Sequence, residues 1–375
     1  MLPYGRQSIE SDDIAAVEAA LRSDWLTTGP EVDRFEAAIA DRAGVEHAVS
    51  VTSGTAALHV AYAAAGIEPG DEVVTTPLTF VATAAGAALH GAKIVFADVD
   101  PATGNLDPAA VETAVTERTK VIAGVDYAGV PVDATALREI ASRQGALFLE
   151  DAAHSIGSTQ DGAPVGSLAD LTTYSFFPTK NLTTAEGGAV VTADAELAAR
   201  ARAFKNHGLV RDKAVQRYPD EGPWHQEVHS FGLNYRLPDV LCALGTSQLA
   251  RLDAFVARRA EVKKAYDEAL GDLEGVDIPG VPEGAAPAWH LYPLRVPAER
   301  RRAIFEAMRE QGIGVQVNYI PAYWHPVFED LGYQRGMCPV AEDYYRREIS
   351  LPMFPGLTDQ DVERVIEVTR KAVAG

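Results

Sequence analysis

The sequence predicts a large α/β domain built on a mostly parallel sheet, followed by a small α+β domain, and three observations carry that prediction. Short apolar runs rich in Val and Ile, with little polar alternation, recur between His47 and Val191, as strands covered on both faces do. Helical stretches separate these runs, so successive strands are joined by crossovers and run parallel. A Pro- and Gly-rich stretch, IPGVPEGAAPA (278–288), then reads as a linker or domain edge. A chain of 375 residues suits one large domain with a smaller one beside it. The division is expected within a long helix, giving residues 1–250 and 251–375.

The elements follow in order. Two amphipathic helices lead, one with Ile14, Val17 and Leu21 on a shared face and one with Val32, Phe35 and Ile39. AVSVT (48–52) is the first strand and passes into the Ala-rich helix AALHVAYAAAG (56–66); EVVTT (72–76) passes into FVATAAGAALHG (80–91). KIVFADV (93–99), KVIAGVDY (120–127), ALFLED (146–151), LTTYSFF (171–177) and Ala189–Val191 supply further strands. Leu237 to Leu270 is expected as one long helix, with Val240, Leu244, Leu249, Leu252 and Val256 toward the core. HLYPLRV, a helix around Arg301–Gln311, GVQVNY (314–319) and a last helix near Asp359–Ala372 make up the small domain.

Composition narrows the function. A formal net charge of −20 repels phosphate backbones, so nucleic-acid binding is disfavoured, although a local cluster of donors can still hold a phosphorylated small molecule. The two cysteines, Cys242 and Cys338, form no disulfide or zinc spacing. The first twenty residues lack a basic start before an apolar core, and no apolar run reaches bilayer length. A cytoplasmic protein without membrane contact is expected. Neither a G-x-G-x-x-G after a strand nor a G-x-x-x-x-G-K-[ST] occurs, which removes the main support for nicotinamide and P-loop chemistry. His225 and His229 have the spacing of a metal pair, but the surrounding Pro219, Gly222 and Pro223 argue for a loop, and no metal is expected there.

Three places converge on another chemistry. Thr52-Ser53-Gly54-Thr55 lies where a strand turns into a helix, so free backbone N–H groups, hydroxyls and a glycine offer an anion seat. Asp151 ends the apolar strand of FLEDAAH, the edge at which open α/β sheets place ligands. Lys180 sits between two apolar strands in SFFPTKNLTTAEGGAVV, where burial lowers an amine's pKa and makes it a nucleophile toward carbonyls. Alone, each has a plain structural explanation: a helix cap, a capping aspartate, a lysine reaching from a strand end to water. Together they supply a phosphate seat, an acid for a ring nitrogen and a Schiff-base lysine, the set that pyridoxal 5'-phosphate requires. Gly187 and Gly188 are expected to let the chain turn tightly behind the lysine.

The segments WLTTGPEVDRFE, SGTAALH, TTPLTFVATA, EDAAHSIGS, SFFPTKNLTTAEGG, FKNHG, LNYRL and VNYIPAY resemble, in order and over nearly the whole chain, the DegT/DnrJ/EryC1/StrS sugar aminotransferases. That resemblance implies the fold-type-I, aspartate aminotransferase-like architecture, pyridoxal phosphate as cofactor, and a nucleotide-linked keto-sugar as substrate. It implies that Lys180 forms the Schiff base and then shuttles a proton, while Asp151 keeps the pyridine nitrogen protonated. Phe80 would stack on the ring, with His154 beside it near the phenolic oxygen. Gly54, Thr55 and Ser175 would hold the phosphate, and Asn234 would reach the phosphate of a neighbouring subunit's cofactor in a homodimer with composite sites. Tyr4, Leu26, Thr27 and Tyr319 match positions that touch the nucleotide sugar.

Within the family, VDYAG, TTAEGGAVVT and AEDYYRREISLP are most similar to the C4 aminotransferases of pseudaminic acid biosynthesis, which implies a UDP-linked 6-deoxy-4-keto-N-acetylhexosamine as acceptor and glutamate as donor. The Phe177-Pro178 pair resembles members that aminate C3. Another aminated carbon, a dTDP or GDP carrier, or a regulatory protein that binds the cofactor without turnover stay open as alternatives.

Overall fold

The computed structural model describes all 375 residues, Met1–Gly375. Seven strands form the central sheet: β1 (His47–Val51), β2 (Glu72–Thr75), β3 (Lys93–Phe96), β4 (Thr119–Val125), β5 (Leu147–Asp151), β6 (Leu171–Ser175) and β7 (Gly188–Thr192). Their spatial order is β1-β7-β6-β5-β4-β2-β3. Only β7 pairs antiparallel with its neighbours, so the C-terminal ends of the other six strands share one edge with the start of β7. The fold is the α/β, fold-type-I architecture expected.

Both faces of the sheet are covered, the physical reason its strands read as unbroken apolar runs. In β4, Val121 and Ala123 face a core with Ala57, Val60 and Ala61 of helix Gly54–Ala64, while Ile122 faces Leu137 and Ile140 of helix Ala134–Gln144. Ala48, Ala189 and Val191 pack instead on Phe35 and Ile39 of helix Pro30–Ala43. A separate core joins β8 (Tyr292–Arg295) and β9 (Glu348–Leu351), an antiparallel pair, to helices Leu252–Leu270, Arg301–Glu310 and Asp359–Ala374 through Tyr266, Leu294, Ile304, Ile349 and Val365. No single helix is long and apolar enough to cross a membrane.

Three local expectations are corrected. The stretch Leu237–Leu270 is two helices, Asp239–Leu249 and Leu252–Leu270, bent by 57° at Ala250–Arg251. Helix Ser11–Arg22 does not bury its Ile14 and Leu21, which are 61% and 58% exposed. It is held by the buried Asp13, whose carboxylate accepts from Ser247 Oγ, Gln248 Nε2 and Arg251 Nη2. GVQVNY is not a ladder strand; Gln316 and Ser350 exchange both backbone bonds as a lone bridge beside β9.

The two glycines at the start of β7, Gly187 just before it and Gly188 as its first residue, serve close approach. A Cβ on Gly188 would lie 2.5 Å from Ser53 O and 2.8 Å from Tyr174 O, and one on Gly187 would lie 2.1 Å from Thr184 Oγ1. The left-handed residue of this turn is Ala185, at φ 67°. Gly188→Ala is therefore expected to destabilise the fold by about 1–3 kcal/mol, because backbone rather than a flexible side chain must move. Urea unfolding measures it, and an unchanged midpoint would contradict the packing.

Candidate active site

At the C-terminal edge of the sheet lies a cavity of about 430 Å³, ordinary for a small-molecule site. It is lined by Gly54 and Thr55 after β1, Phe80 and Thr83 after β2, Asp151 at the end of β5 with His154 after it, Ser175 at the end of β6 with Lys180 after it, and Tyr4, His290 and Tyr319 from the small-domain side. Residues 1–4 reach it because Leu2 bonds Gly312 and Gly314, and Met353 donates to Tyr4 O at 3.0 Å.

Each group is set by its neighbours. Asp151 is buried; its Oδ2 accepts from Thr83 Oγ1 at 2.7 Å and its Oδ1 from Ala153 N at 3.2 Å. Burial raises its pKa, and these bonds together with Lys180 oppose the rise. The Lys180 side chain makes no hydrogen bond, and burial lowers its pKa to about 8 against the pull of Asp151. The buried His154 is held neutral, its pKa well below the ordinary value through burial and then Lys180, and its Nε2 lies 3.1 Å from Tyr319 Oη. Phe80 stands edge-on to Tyr319 with ring centroids 6.2 Å apart.

Helix Gly54–Ala64 starts at the cavity wall. Its cap, Ser53 Oγ, takes Ala56 N at 3.0 Å, which leaves the N–H groups of Gly54 and Thr55 without an acceptor. A Cβ at Gly54 would meet Ser175 Cβ at 2.7 Å, so only glycine brings this helix start against the serine. Two orphan N–H groups, the Thr55 and Ser175 side chains and the helix dipole together suit an anion such as a phosphate.

Buried polar atoms around the cavity lack partners as well: Thr173 Oγ1, His154 Nδ1 and His290 Nδ1. Their positions, beside an acid with a raised pKa and an amine with a lowered one, fit a polar aromatic cofactor carrying a phosphate.

Of the residues singled out in the sequence, Tyr4, Gly54, Thr55, Phe80, Asp151, His154, Ser175, Lys180 and Tyr319 meet at this cavity. Leu26, Thr27 and Asn234 do not line it and are exposed elsewhere on the chain. Three residues in or beside the cavity were not singled out. His290 packs against His154 with ring centroids 4.4 Å apart. Thr83 orients Asp151. The buried Glu348 accepts from Asn318 N at 2.7 Å and Ser350 Oγ at 2.5 Å, and so fixes the backbone next to Tyr319. Thr83 falls in the quoted TTPLTFVATA, whereas Glu348 acts across thirty residues and leaves no local signal. The histidine pair does not line this cavity; it flanks the two-residue strand Glu227–Val228, where Glu227 accepts from Arg217 N and Tyr218 N and contacts both His225 and His229.

The chain resembles known proteins along its whole length. Residues 7–370 match the model of the DegT/DnrJ/EryC1/StrS aminotransferase family. The spore coat polysaccharide biosynthesis protein SpsC of Bacillus subtilis is 41% identical, with 100% of this chain and 97% of SpsC covered. The structure of Helicobacter pylori PseC, an aminotransferase involved in the biosynthesis of pseudoaminic acid, superposes with a TM-score of 0.93 at 32% identity, covering 100% of this chain and 99% of PseC. The PMP-form of the putative sugar aminotransferase Spr1654 from Streptococcus pneumoniae gives 0.94 at 28%, again covering 100% and 99%, and the same protein is known in a PLP-form. A full-length family match, these relatives and a cavity suited to the cofactor agree: the chain belongs to the DegT/DnrJ/EryC1/StrS family and is a pyridoxal-phosphate-dependent sugar aminotransferase.

Proposed function

We propose that this enzyme moves an amino group from glutamate to C4 of a UDP-linked 6-deoxy-4-keto-N-acetylhexosamine, as in pseudaminic acid biosynthesis. The observation that carries the reaction type is the meeting of Lys180 and Asp151 in one cavity beside a phosphate cradle. Support for the substrate comes from the full-length similarity to PseC, together with the sequence segments that resemble the pseudaminic branch.

Bound pyridoxal phosphate would supply an electron-withdrawing ring that stabilises negative charge on the adjacent carbon. Gly54, Thr55 and Ser175 would seat its phosphate, and Phe80 and His154 would flank the ring. Asp151 would hold a proton at the ring nitrogen, with Thr83 fixing the carboxylate's direction. Lys180 Nζ, once free, would take the proton from the donor's α-carbon and return one to the sugar carbon. Tyr4 and Tyr319 would border the sugar.

Leu26, Thr27 and Asn234 act on this reading in the site of a second copy. The apolar surface left bare by one chain supports that arrangement: Ile14, Leu21, Trp25 and Leu26 are more than half exposed and Phe231 is 97% exposed. Sedimentation at working concentration should give twice the 40.1 kDa chain mass, and a monomer at full activity would remove the composite site.

The similarity to SpsC favours a second reading, a different keto-sugar destined for a polysaccharide. A panel of UDP- and dTDP-linked 4-keto and 3-keto sugars, each incubated with glutamate and read by mass spectrometry, decides between them. Amination confined to the UDP-linked 4-keto-N-acetylhexosamine supports the proposal, and selective turnover of any other member replaces it.

A further inference from the structure

The loop between β6 and β7 carries a carboxylate that the chemistry above leaves unused. Because β7 runs against its neighbours, its first residue, Gly188, pairs with Val51 and Ser175 at the edge where the cavity opens. Glu186 precedes it at that rim and lines the cavity that holds Lys180 and Tyr4. Its side chain is exposed at the cavity mouth and makes no hydrogen bond and no ion pair in the chain; its backbone carbonyl accepts from Thr184 Oγ1 at 2.8 Å.

The backbone that presents it is strained and pinned. Ala185 has φ 67°, a conformation that costs a residue with a Cβ where glycine adopts it freely. The strain is held by Ala185 N donating to Thr183 Oγ1 at 2.9 Å, Thr184 N to Phe176 O at 3.0 Å and Phe176 N to Gly187 O at 2.9 Å. Strain that the surroundings over-determine, in a segment that delivers an unpaired charge to a cavity, marks a position with a task.

We propose that Glu186 is a specificity-determining residue for the sugar: its carboxylate accepts a hydrogen bond from a hydroxyl or the acetamido N–H of the hexose and holds the ring with its carbonyl carbon toward Lys180. A carboxylate is an acceptor only, so it selects donors on the sugar. It also repels phosphate, so the diphosphate leaves the cavity on the side away from Glu186. The inference rests on the reading of a nucleotide-linked keto-sugar as substrate, and its test separates the two.

The full-length, cofactor-loaded wild type and its Glu186→Gln and Glu186→Ala variants are followed through each half-reaction in single turnover. Glutamate alone should bleach the visible absorbance of the lysine-bound cofactor at nearly the wild-type rate in both variants. The keto-sugar selected by the panel above should then restore that absorbance with kcat/KM about 10–100-fold lower in Glu186→Ala, and less reduced in Glu186→Gln, which keeps one acceptor. An equal loss in both half-reactions, no loss in either, or a changed sedimentation mass (Glu186 pairing with a second copy) would overturn the assignment. Should the wild type respond to glutamate but to no keto-sugar, the substrate reading fails, and the Glu186 assignment with it.

Discussion

Lys180→Ala is expected to lower turnover by about 10⁴-fold or more while leaving the protein folded. The two effects separate because the lysine side chain makes no hydrogen bond, so truncation orphans no hydrogen-bond partner and removes a poorly solvated charge, while Asp151 keeps its bonds from Thr83 and Ala153. What disappears is the one amine in the cavity able to attack a carbonyl and carry a proton. Its lowered pKa sets the pH dependence. Burial disfavours the ammonium form, so the neutral, nucleophilic form gains population as pH rises through about 8 rather than near the 10.5 of a solvated lysine. Cofactor loading, followed by the appearance of visible absorbance between about pH 6 and pH 10, should accelerate through that point and level off above it. Lys180→Arg sharpens the test. It keeps a positive charge beside Asp151, but a guanidinium does not deprotonate. If the arginine variant kept even a tenth of the turnover, the lysine would be acting as a charge and not as a nucleophile and base.

How much of this was legible in the sequence follows from how local each signal is. The strands of the central sheet read out because burial on both faces writes itself into consecutive residues, as in Val121-Ile122-Ala123. Lys180 and Asp151 read out because each is a charged residue at the end of an apolar run. The bend at Ala250–Arg251 left no such mark, since no proline lies at the break and Arg251 turns back to a long-range partner, Asp13. Strand β9 was hidden because its buried Glu348 and Ser350 look like surface residues until their bonds to Asn318 are seen. Ile14 and Leu21 form a real apolar face, but an amphipathic period does not say whether that face is covered within the chain.

Asp151→Asn is expected to cost about 10²–10⁴-fold in turnover, the range for removing a positioned group that holds a proton in the reaction. Asparagine preserves the shape of the site and offers Thr83 Oγ1 an acceptor, so the loss reports charge rather than geometry. The same substitution should act in the opposite sense on stability. Burial raises the Asp151 pKa in the folded, cofactor-free chain, so between the unfolded value of about 3.9 and that raised value the folded state keeps a proton that the unfolded state releases. Stability therefore falls as pH climbs through this window, and at neutral pH the buried carboxylate weakens the cofactor-free fold. Asparagine carries no such proton. The cofactor-free variant should melt above the wild type at pH 7, with the gap narrowing as pH falls through about 4 and closing below it, where the wild-type carboxyl becomes neutral in both states. A variant that lost turnover and also melted lower at pH 7 would mean that Asp151 is held mainly by its bonds to Thr83 and Ala153, as a structural residue. A variant that kept turnover would separate the acid from the chemistry altogether. The combination expected here, inactive yet more stable without cofactor, is the signature of a carboxylate whose burial Lys180 offsets only in part, kept out of water for the chemistry of the bound ring.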